Sequence, residues 1–212
     1  RNHEEKDDAE LYYSKIEDSQ IFGNGRCGVF CEGKDSAPDI VRNTISENEG
    51  AGVVADSGNQ AKIKGNDIQK NQVGILMQSC STFCFLNHIH KNLEAGIVAR
   101  TALNLPCDGS IKSNEINDNE FGIRCMGTNC LVRIEHNRAI RKNLRAGIRI
   151  EEFAHPSIIK NRIYNNFKQG ILMIETGSAF IEKNSLHSNE KANIALGGRY
   201  SEKTSIIKND IS

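Results

Sequence analysis

The sequence predicts an all-β fold, a right-handed single-stranded parallel β-helix, and two observations support this prediction. The phrase Ile-x-x-Asn-x-Ile-x-x-Asn-x-x-x-Gly-Ile recurs about every 24 residues, and a fixed period in this range is typical of solenoids. One copy spans residues 40–53 and another spans residues 158–171. Apolar residues also alternate with polar ones over segments too short for helices, which is the pattern of short strands. The period predicts about eight to nine coils.

Each position of the phrase has an expected structural role. The apolar positions, Ile63 and Ile68 in one copy, should lie in short strands and face the inside of the coil, because β-branched residues favour strands. The two Asn, Asn66 and Asn71, should lie at bends, because Asn tolerates left-handed backbone and stacked amides form a hydrogen-bonded ladder. The Gly before the last apolar residue, Gly74 here, should lie at a bend that excludes a Cβ atom.

The repeat length is sufficient for one coil. About 24 residues accommodate three short strands and three bends, and successive coils stack about 4.8 Å apart. A leucine-rich repeat has a similar period, but it needs Leu at fixed spacing with one Asn, whereas Ile predominates here. The first Asn recurs at Asn43, Asn66, Asn87, Asn114, Asn137, Asn161, Asn184 and Asn209, the second at Asn24, Asn48, Asn71, Asn92, Asn119, Asn143, Asn166 and Asn189, and the Gly at Gly28, Gly52, Gly74, Gly96, Gly122, Gly147 and Gly170.

The repeat also predicts the domain organisation. Residues 14–212 form the β-helix domain, and residues 1–13 are expected to be a charged N-terminal linker or cap. We expect a fragment of a larger protein, because the chain does not begin with Met and residues 206–212 repeat only half of the phrase. Residues 101–109 lengthen one coil and predict a loop there. One extra residue between Asn137 and Asn143 predicts a bulge.

Composition narrows the classes of partner. The formal net charge is zero, which argues against a nucleic-acid ligand. The chain has no apolar run long enough to span a membrane. Its seven Cys form no Cys-x-x-Cys pair, which favours a reducing compartment, so we expect an intracellular protein of the cytoplasm or nucleus. No motif for a cofactor is present, and we expect none.

One column of cysteines is a weak candidate for a metal site. Cys80, Cys107 and Cys130 occupy the same position in successive repeats, so the period stacks three thiols about one strand spacing apart. That spacing permits a disulfide or a soft metal ion. The favoured alternative is a column of small residues at a bend. Other coils place Ser36, Asn59 and Ala154 there.

One polar constellation is a weak candidate for catalysis or metal binding. His88 and His90 lie two residues apart on one strand and therefore face the same side. Asp67 and Glu115 occupy the equivalent position to His88 on the adjacent coils. Such a group can bind a metal or transfer protons, and the alternative is a solvated face with paired charges. The column reads Thr44, Asp67, His88, Glu115, Arg138 and Arg162.

An outward column that is half apolar is the candidate for partner binding. An exposed apolar stripe marks either a contact surface or something that covers it, here the chain's own N-terminal segment or a loop. Arginine, which ends the column, is enriched in protein interfaces. The predicted partner-binding residues are Phe30, Val54, Leu76, Val98, Arg124 and Arg149.

The amino-acid sequence of the repeat resembles that of repeats in known families. It is similar to the parallel β-helix repeats of carbohydrate-binding proteins and sugar hydrolases, and it looks most like the β-helix region of F-box only proteins and of SHC-binding scaffold proteins. F-box only proteins are substrate receptors of cullin-RING ubiquitin ligases. The resemblance covers residues 14–212, and it is carried by copies such as Ile158-Ile-Lys-Asn161-Arg-Ile163-Tyr-Asn-Asn166 and Ile181-Glu-Lys-Asn184-Ser-Leu186-His-Ser-Asn189.

The resemblance implies a main functional expectation and one alternative. The main expectation is a non-enzymatic recognition or scaffold domain that binds a protein partner or degron, with Skp and cullin bound through regions outside this chain. The alternative is a polysaccharide lyase, hydrolase or epimerase that acts in a groove along the β-helix, with carbohydrate as the ligand. A structural rod within a larger assembly is a third interpretation.

Overall fold

The computed structural model describes residues 14–102, 105–198 and 204–212. The predicted N-terminal linker or cap, residues 1–13, lies outside them. Every regular element in the described part of the chain is a β-strand, and the strands, numbered along the chain, form three parallel sheets of nine, nine and eight strands. Each of the first eight coils contributes one strand to each sheet, and the described residues after them contribute one strand to each of two sheets. The predicted right-handed parallel β-helix is confirmed, with a coil number that matches the period.

The strands of sheet A and sheet B are short. Sheet A contains β1 Lys15–Glu17, β4 Asp39–Val41, β7 Lys62–Lys64, β10 Phe83–Phe85, β13 Ser110–Lys112, β16 Arg133–Glu135, β19 Ser157–Ile159, β22 Phe180–Glu182 and β25 Ser205–Ile207. Sheet B contains β2 Gln20–Phe22, β5 Thr44–Ser46, β8 Asp67–Gln69, β11 His88–His90, β14 Glu115–Asn117, β17 Ala139–Arg141, β20 Arg162–Tyr164, β23 Ser185–His187 and β26 Asp210–Ile211.

The strands of sheet C are longer, and those of six residues include the repeated Gly or, in the last of them, Asn193. They are β3 Val29–Glu32, β6 Ala51–Asp56, β9 Val73–Gln78, β12 Ala95–Arg100, β15 Phe121–Met126, β18 Ile148–Glu151, β21 Gln169–Ile174 and β24 Ala192–Gly197. In all three sheets one coil pairs with the next in register, so equivalent side chains of successive repeats stack in columns.

The core is a column of aliphatic side chains inside the coils. Ile63, Ile68 and Ile75, one from each sheet in a single coil, have no exposed surface. Burial of one such side chain contributes about 1.5–3 kcal/mol to folding, and the repeat multiplies it along the rod. Three cysteines, Cys31, Cys84 and Cys125, are also buried in this core.

Two asparagine ladders tie the coils together, as predicted. In one ladder, Asn66 donates from its side-chain amide and its backbone N–H to Oδ1 of Asn87, at 3.0 and 2.9 Å. The Nδ2 atom of Asn66 also donates to the carbonyl oxygen of Ile40 at 2.9 Å. These bonds satisfy buried polar groups at the corners, where strand pairing ends.

The predicted backbone conformations at two positions were wrong. The residue that adopts the left-handed conformation is the one before the ladder Asn, such as Leu86 (φ 58°) or Lys91 (φ 56°), because the ladder bonds hold the Asn itself. The repeated Gly lies inside a strand of sheet C in most repeats, and Gly28 and Gly147 directly precede their strands. A Cβ atom on Gly96 would come within 2.8 Å of the backbone oxygen of Gly122, so close packing between coils excludes it.

The extra residue in the sixth repeat shifts one predicted column. Glu115 pairs with Ala139, and Ile140 pairs with Ile163, so Arg138 is the inserted residue of a local bulge. Arg138 was therefore wrongly placed in the column of Asp67. In the predicted long loop, residues 103–104 lie outside the described part, and Ala102 and Leu105 form an antiparallel bridge.

Candidate functional site

The Asp67, His88 and His90 side chains converge on the outward face of sheet B. Strands β8 and β11 pair in register, which places Asp67 beside His88 on adjacent coils. His90 Nε2 lies 2.9 Å from Asp67 Oδ1, and His88 Nδ1 lies 3.5 Å from the same oxygen. The imidazole rings of the two histidines stack with centroids 4.1 Å apart. We call these three residues the His–Asp cluster.

Neighbouring amides orient the His–Asp cluster. Gln69 Nε2 donates to Asp67 Oδ2 at 3.2 Å, and Asn117 Nδ2 donates to Asp118 Oδ2 at 2.6 Å. The second bond turns the amide oxygen of Asn117 toward His88, whose Nε2 lies 3.2 Å away. Because an amide oxygen only accepts, Nε2 of His88 carries a hydrogen, and Nδ1 is the nitrogen that faces Asp67.

The two histidines differ in environment. The His90 side chain is 11% exposed, whereas that of His88 is 46% exposed. Burial is the largest influence on His90 and lowers its pKa below the ordinary value, with His88 acting in the same direction and the hydrogen bond to Asp67 opposing both. His90 is therefore a neutral imidazole at neutral pH, and His88 is the histidine of the cluster that a ligand can reach.

Glu115, the fourth predicted member, does not join the cluster. Its backbone pairs with His88, as predicted, but its carboxylate accepts a hydrogen bond from Arg141 Nη2 at 2.6 Å. The same bond is the main cause of the raised pKa of Arg141. Sequence reasoning missed this partner because the bulge at Arg138 moves Arg141 into the column of His90 and Asn117.

Polar and aromatic side chains continue from the cluster along sheet B. The rings of Tyr164 and His187 stack with centroids 5.0 Å apart, and the guanidinium of Arg162 lies 5.6 Å from the Tyr164 ring. We call this outward face the sheet B row. Its members in register are Gln69, His90, Asn117, Arg141, Tyr164 and His187.

The outward stripe on sheet C has the predicted register, but it is only partly exposed. Phe30 is 55% exposed, whereas Val98 is only 4% exposed. The middle of the stripe belongs to a second hydrophobic cluster on the outside of the sheet, which includes Ala95 and Phe121. The stripe joins Phe30, Val54, Leu76, Val98, Arg124 and Arg149 in order.

The two arginines of that stripe are engaged in internal ion pairs. The buried carboxylate of Glu151 accepts hydrogen bonds from Arg124 at 2.8 Å and from Arg149 at 2.6 Å, and Arg124 also contacts Glu94. Both guanidiniums lie beside the Phe121 ring, at 5.5 and 5.2 Å from its centroid. Both guanidinium groups therefore have their partners within the sheet itself.

The cysteine column is buried and reduced. Cys80, Cys107 and Cys130 are free thiols with at most 1% exposure. The hydrogen bond with Cys107 and then burial raise the pKa of the Cys80 thiol above its ordinary value. Within the described residues, the group of three ligand atoms that converge on one point is the His–Asp cluster. The described residues contain no helix long and apolar enough to cross a membrane.

The fold and this surface define the class of protein: a parallel β-helix with a polar cluster on one outer face. The family model for the right handed beta helix region matches residues 10–83 and 54–211, and the chain belongs to that family. A comparison with curated proteins found no match. The crystal structure of a mutant of the periplasmic alginate epimerase AlgG is similar, with a TM-score of 0.58 and 18% identity over 86% of this chain. The chain spans 50% of that structure's length, and at this identity the likeness shows the fold.

The comparisons correct the main functional expectation. A non-enzymatic scaffold or F-box receptor was expected, and this expectation is corrected: the similar structure is that of a periplasmic alginate epimerase, and the family model is that of the β-helix itself. The finer resemblance to F-box only and SHC-binding proteins, and with it the degron, Skp and cullin partners, has no support in these matches. The repeated phrase misled because it encodes the coil, which proteins of unrelated function share.

Proposed function

We propose that the chain is a carbohydrate-active β-helix that modifies an acidic polysaccharide lying along the sheet B row. The observation that carries the proposal is the convergence of Asp67, His88 and His90 on that face. Titratable groups that cluster on a solvent-facing surface are candidates for chemistry, and in this cluster burial lowers the pKa of His90. The fold shared with an epimerase of alginate supports a sugar polymer as the substrate class.

The shape of the row suits a linear polymer. From β8 to β23 the row crosses six strands at about 4.8 Å spacing, so it extends about 24 Å along the rod axis. Arg141 and Arg162 lie on the same face, two and three strands from His88 along the rod, and Arg141 also pairs with Glu115. A chain of acidic sugars along this axis would contact the cluster and both arginines, and its carboxylates would complement their charge.

The chemistry of the cluster favours proton transfer over glycosidic hydrolysis. Hydrolysis by two carboxylates needs one protonated acid and one free base or nucleophile. Asp67 instead accepts hydrogen bonds from Gln69 and faces both histidines, and Glu115 is paired with Arg141. A centre of two imidazoles and a carboxylate is suited to moving a proton at a sugar carbon beside a carboxylate, as epimerases and lyases do.

The test is to incubate the full chain with a panel of uronic-acid polymers, alginate among them, in deuterated water. NMR detects deuterium entering the sugar ring, ultraviolet absorbance detects an unsaturated lyase product, and a reducing-end assay detects hydrolysis. We expect deuterium incorporation or unsaturated product on an acidic polymer, and at least a tenfold loss, or about 1.4 kcal/mol, in the Asp67→Asn variant.

The matched control is Asp210→Asn, which changes an exposed aspartate in the last strand of the same sheet. Its activity should equal that of the unchanged protein. Absence of binding and of turnover on every acidic polymer, by a protein with an intact β circular dichroism spectrum, would overturn the proposal. Turnover that Asp67→Asn leaves unchanged would move the active centre away from the His–Asp cluster.

A further inference from the structure

We infer that Asp67, His88 and His90 bind one divalent transition-metal ion of the zinc class. Asp67 Oδ1, His88 Nδ1 and His90 Nε2 all lie within 4.8 Å of one another. The binding of the ion follows from the geometry of these three atoms. Its chemical role rests on the function proposed above.

The distances match a shared ion. Zinc lies about 2.0–2.2 Å from imidazole nitrogen and carboxylate oxygen, so two ligand atoms of a tetrahedral site are about 3.3 Å apart. The separations from Asp67 Oδ1, 2.9 Å to His90 and 3.5 Å to His88, lie on either side of that value. The two imidazole rings are stacked, and binding of a shared ion requires both rings to turn their nitrogens toward it.

The surrounding amides have the arrangement found around metal ligands. A metal-bound histidine usually donates its other ring N–H to a carbonyl or carboxylate, which fixes the coordinating nitrogen. His88 does so through Nε2, 3.2 Å from Asn117 Oδ1, and Asp118 holds Asn117 in place. Gln69 similarly holds the second oxygen of Asp67. The ligand nitrogen of His88 and the ligand oxygen of Asp67 are therefore already directed at each other.

The ligand types select the ion. Two imidazoles and one carboxylate suit zinc, cobalt, nickel, copper or ferrous iron, whereas calcium and magnesium prefer sites built of oxygen. Three protein ligands leave at least one coordination position open, as catalytic sites require. The open position faces solvent, because the His88 side chain is half-exposed.

An ion at this site would change which group moves the proton. With both imidazoles engaged as ligands, water on the ion would act instead, since metal-bound water can ionise near neutral pH. The bound hydroxide would take the proton from the sugar carbon beside the carboxylate and become water. The electron pair left on that carbon would be delocalised into the carboxylate, whose charge the ion would offset, and return of a proton from water to the opposite face of the carbon would complete an epimerisation.

The test titrates the metal-free full chain with Co²⁺, followed by visible absorption, and with Zn²⁺, followed by calorimetry. We expect one equivalent bound. His88→Ala and His90→Ala should each weaken binding at least tenfold, and Asn117→Ala, which removes the partner of His88, should weaken it roughly tenfold. His136→Asn is the control, because His136 is exposed on a bend with φ 52°, a conformation that Asn tolerates.

No substrate enters this measurement, so its outcome is independent of the proposed function. Binding that is unaffected by His88→Ala and His90→Ala, or no stoichiometric binding by the folded protein, overturns the metal site. Metal binding without turnover of any polymer would retain the site and remove the proposed function. Turnover by metal-free protein, unchanged on adding Zn²⁺, would remove the ion's chemical role.

Discussion

At the scale of single residues, the ladder asparagines are the polar groups on which the coils depend most. Asn87 donates to the carbonyl oxygen of Ile63 at 2.9 Å and to Asn114 at 3.1 Å, and it accepts two bonds from Asn66. All of these groups are buried away from water. A side chain with this many buried bonds has no apolar replacement that leaves its partners satisfied.

We expect Asn87→Ala to destabilise the folded chain by about 3 kcal/mol, because each abandoned buried group costs about 1–3 kcal/mol. Urea unfolding followed by circular dichroism measures this. Asn24→Ala provides the comparison, since Asn24 lies in the exposed first position of the other ladder, and it should cost less than about 1 kcal/mol. Equal losses at the two positions would show that the ladder adds no stability beyond that of an exposed amide.

His90 should make the stability of the fold depend on pH. The unfolded imidazole titrates near 6.5, and burial lowers the pKa in the folded chain, so the unfolded chain binds more protons between the two values. Stability is therefore fully present above the unfolded pKa and is lost as pH falls toward the folded pKa. We expect His90→Gln to flatten this loss in the window just below the unfolded pKa, measured as the thermal midpoint.

His136→Asn again serves as the control for that measurement, and its pH profile should follow that of the unchanged protein. A wild-type profile that rises as pH falls through this window would contradict the assignment of a neutral, buried His90. The ordinary pKa of Asp or Glu lies lower, so their titration is separated from this window.

At the scale of elements, the strands of sheet C pack so closely that one position per coil has no room for a side chain. A Cβ atom on Gly96 would lie 2.7 Å from Ile116 Cγ2 and 2.8 Å from the backbone oxygen of Gly122. The oxygen belongs to the neighbouring strand and is fixed by the sheet, so it cannot move aside as a flexible side chain would. The spacing of coils in this sheet thus depends on Gly.

We expect Gly96→Ala to lower the free energy of unfolding by about 2–3 kcal/mol through overpacking. Gly25→Ala is the matched control, because the nearest atom to its new Cβ would be Glu49 Oε2 at 3.9 Å. That substitution should change stability by less than about 0.5 kcal/mol. If Gly96→Ala were tolerated as well, the coils would be able to separate locally, and close packing would not explain the repeated Gly.

Sheet register is also decided at this scale. A single inserted residue, Arg138, moves Arg141 into line with Asn117 and Tyr164 and brings it to Glu115. Counting from the repeat alone placed Arg138 in the column instead. The repeat shows that one residue is extra, but it does not show which residue is left without a partner on the neighbouring strand. The bulge therefore changes the charge composition of the sheet B row without changing the core.

At the scale of the whole molecule, stacking coils converts short motifs into long surfaces of different character. Sheet B presents the polar row with the His–Asp cluster, and sheet C presents apolar residues and an ion network around Glu151. The first of these brings two imidazoles and a carboxylate together beside solvent, to which the half-exposed His88 is open. The proposed substrate and metal sites both lie on it for that reason.

The sequence by itself determined the solenoid, its period, its core and its ladders, because each follows from local residue patterns repeated along the chain. It also placed Asp67 beside His88 and His90, since a constant period defines columns. The tertiary structure alone decided that Glu115 turns away to Arg141, that Asn117 and Gln69 orient the cluster, and that the predicted left-handed Asn and bent Gly adopt other conformations. These outcomes depend on side-chain contacts between coils and on a one-residue shift in register, which are properties of the packed molecule and not of any single repeat.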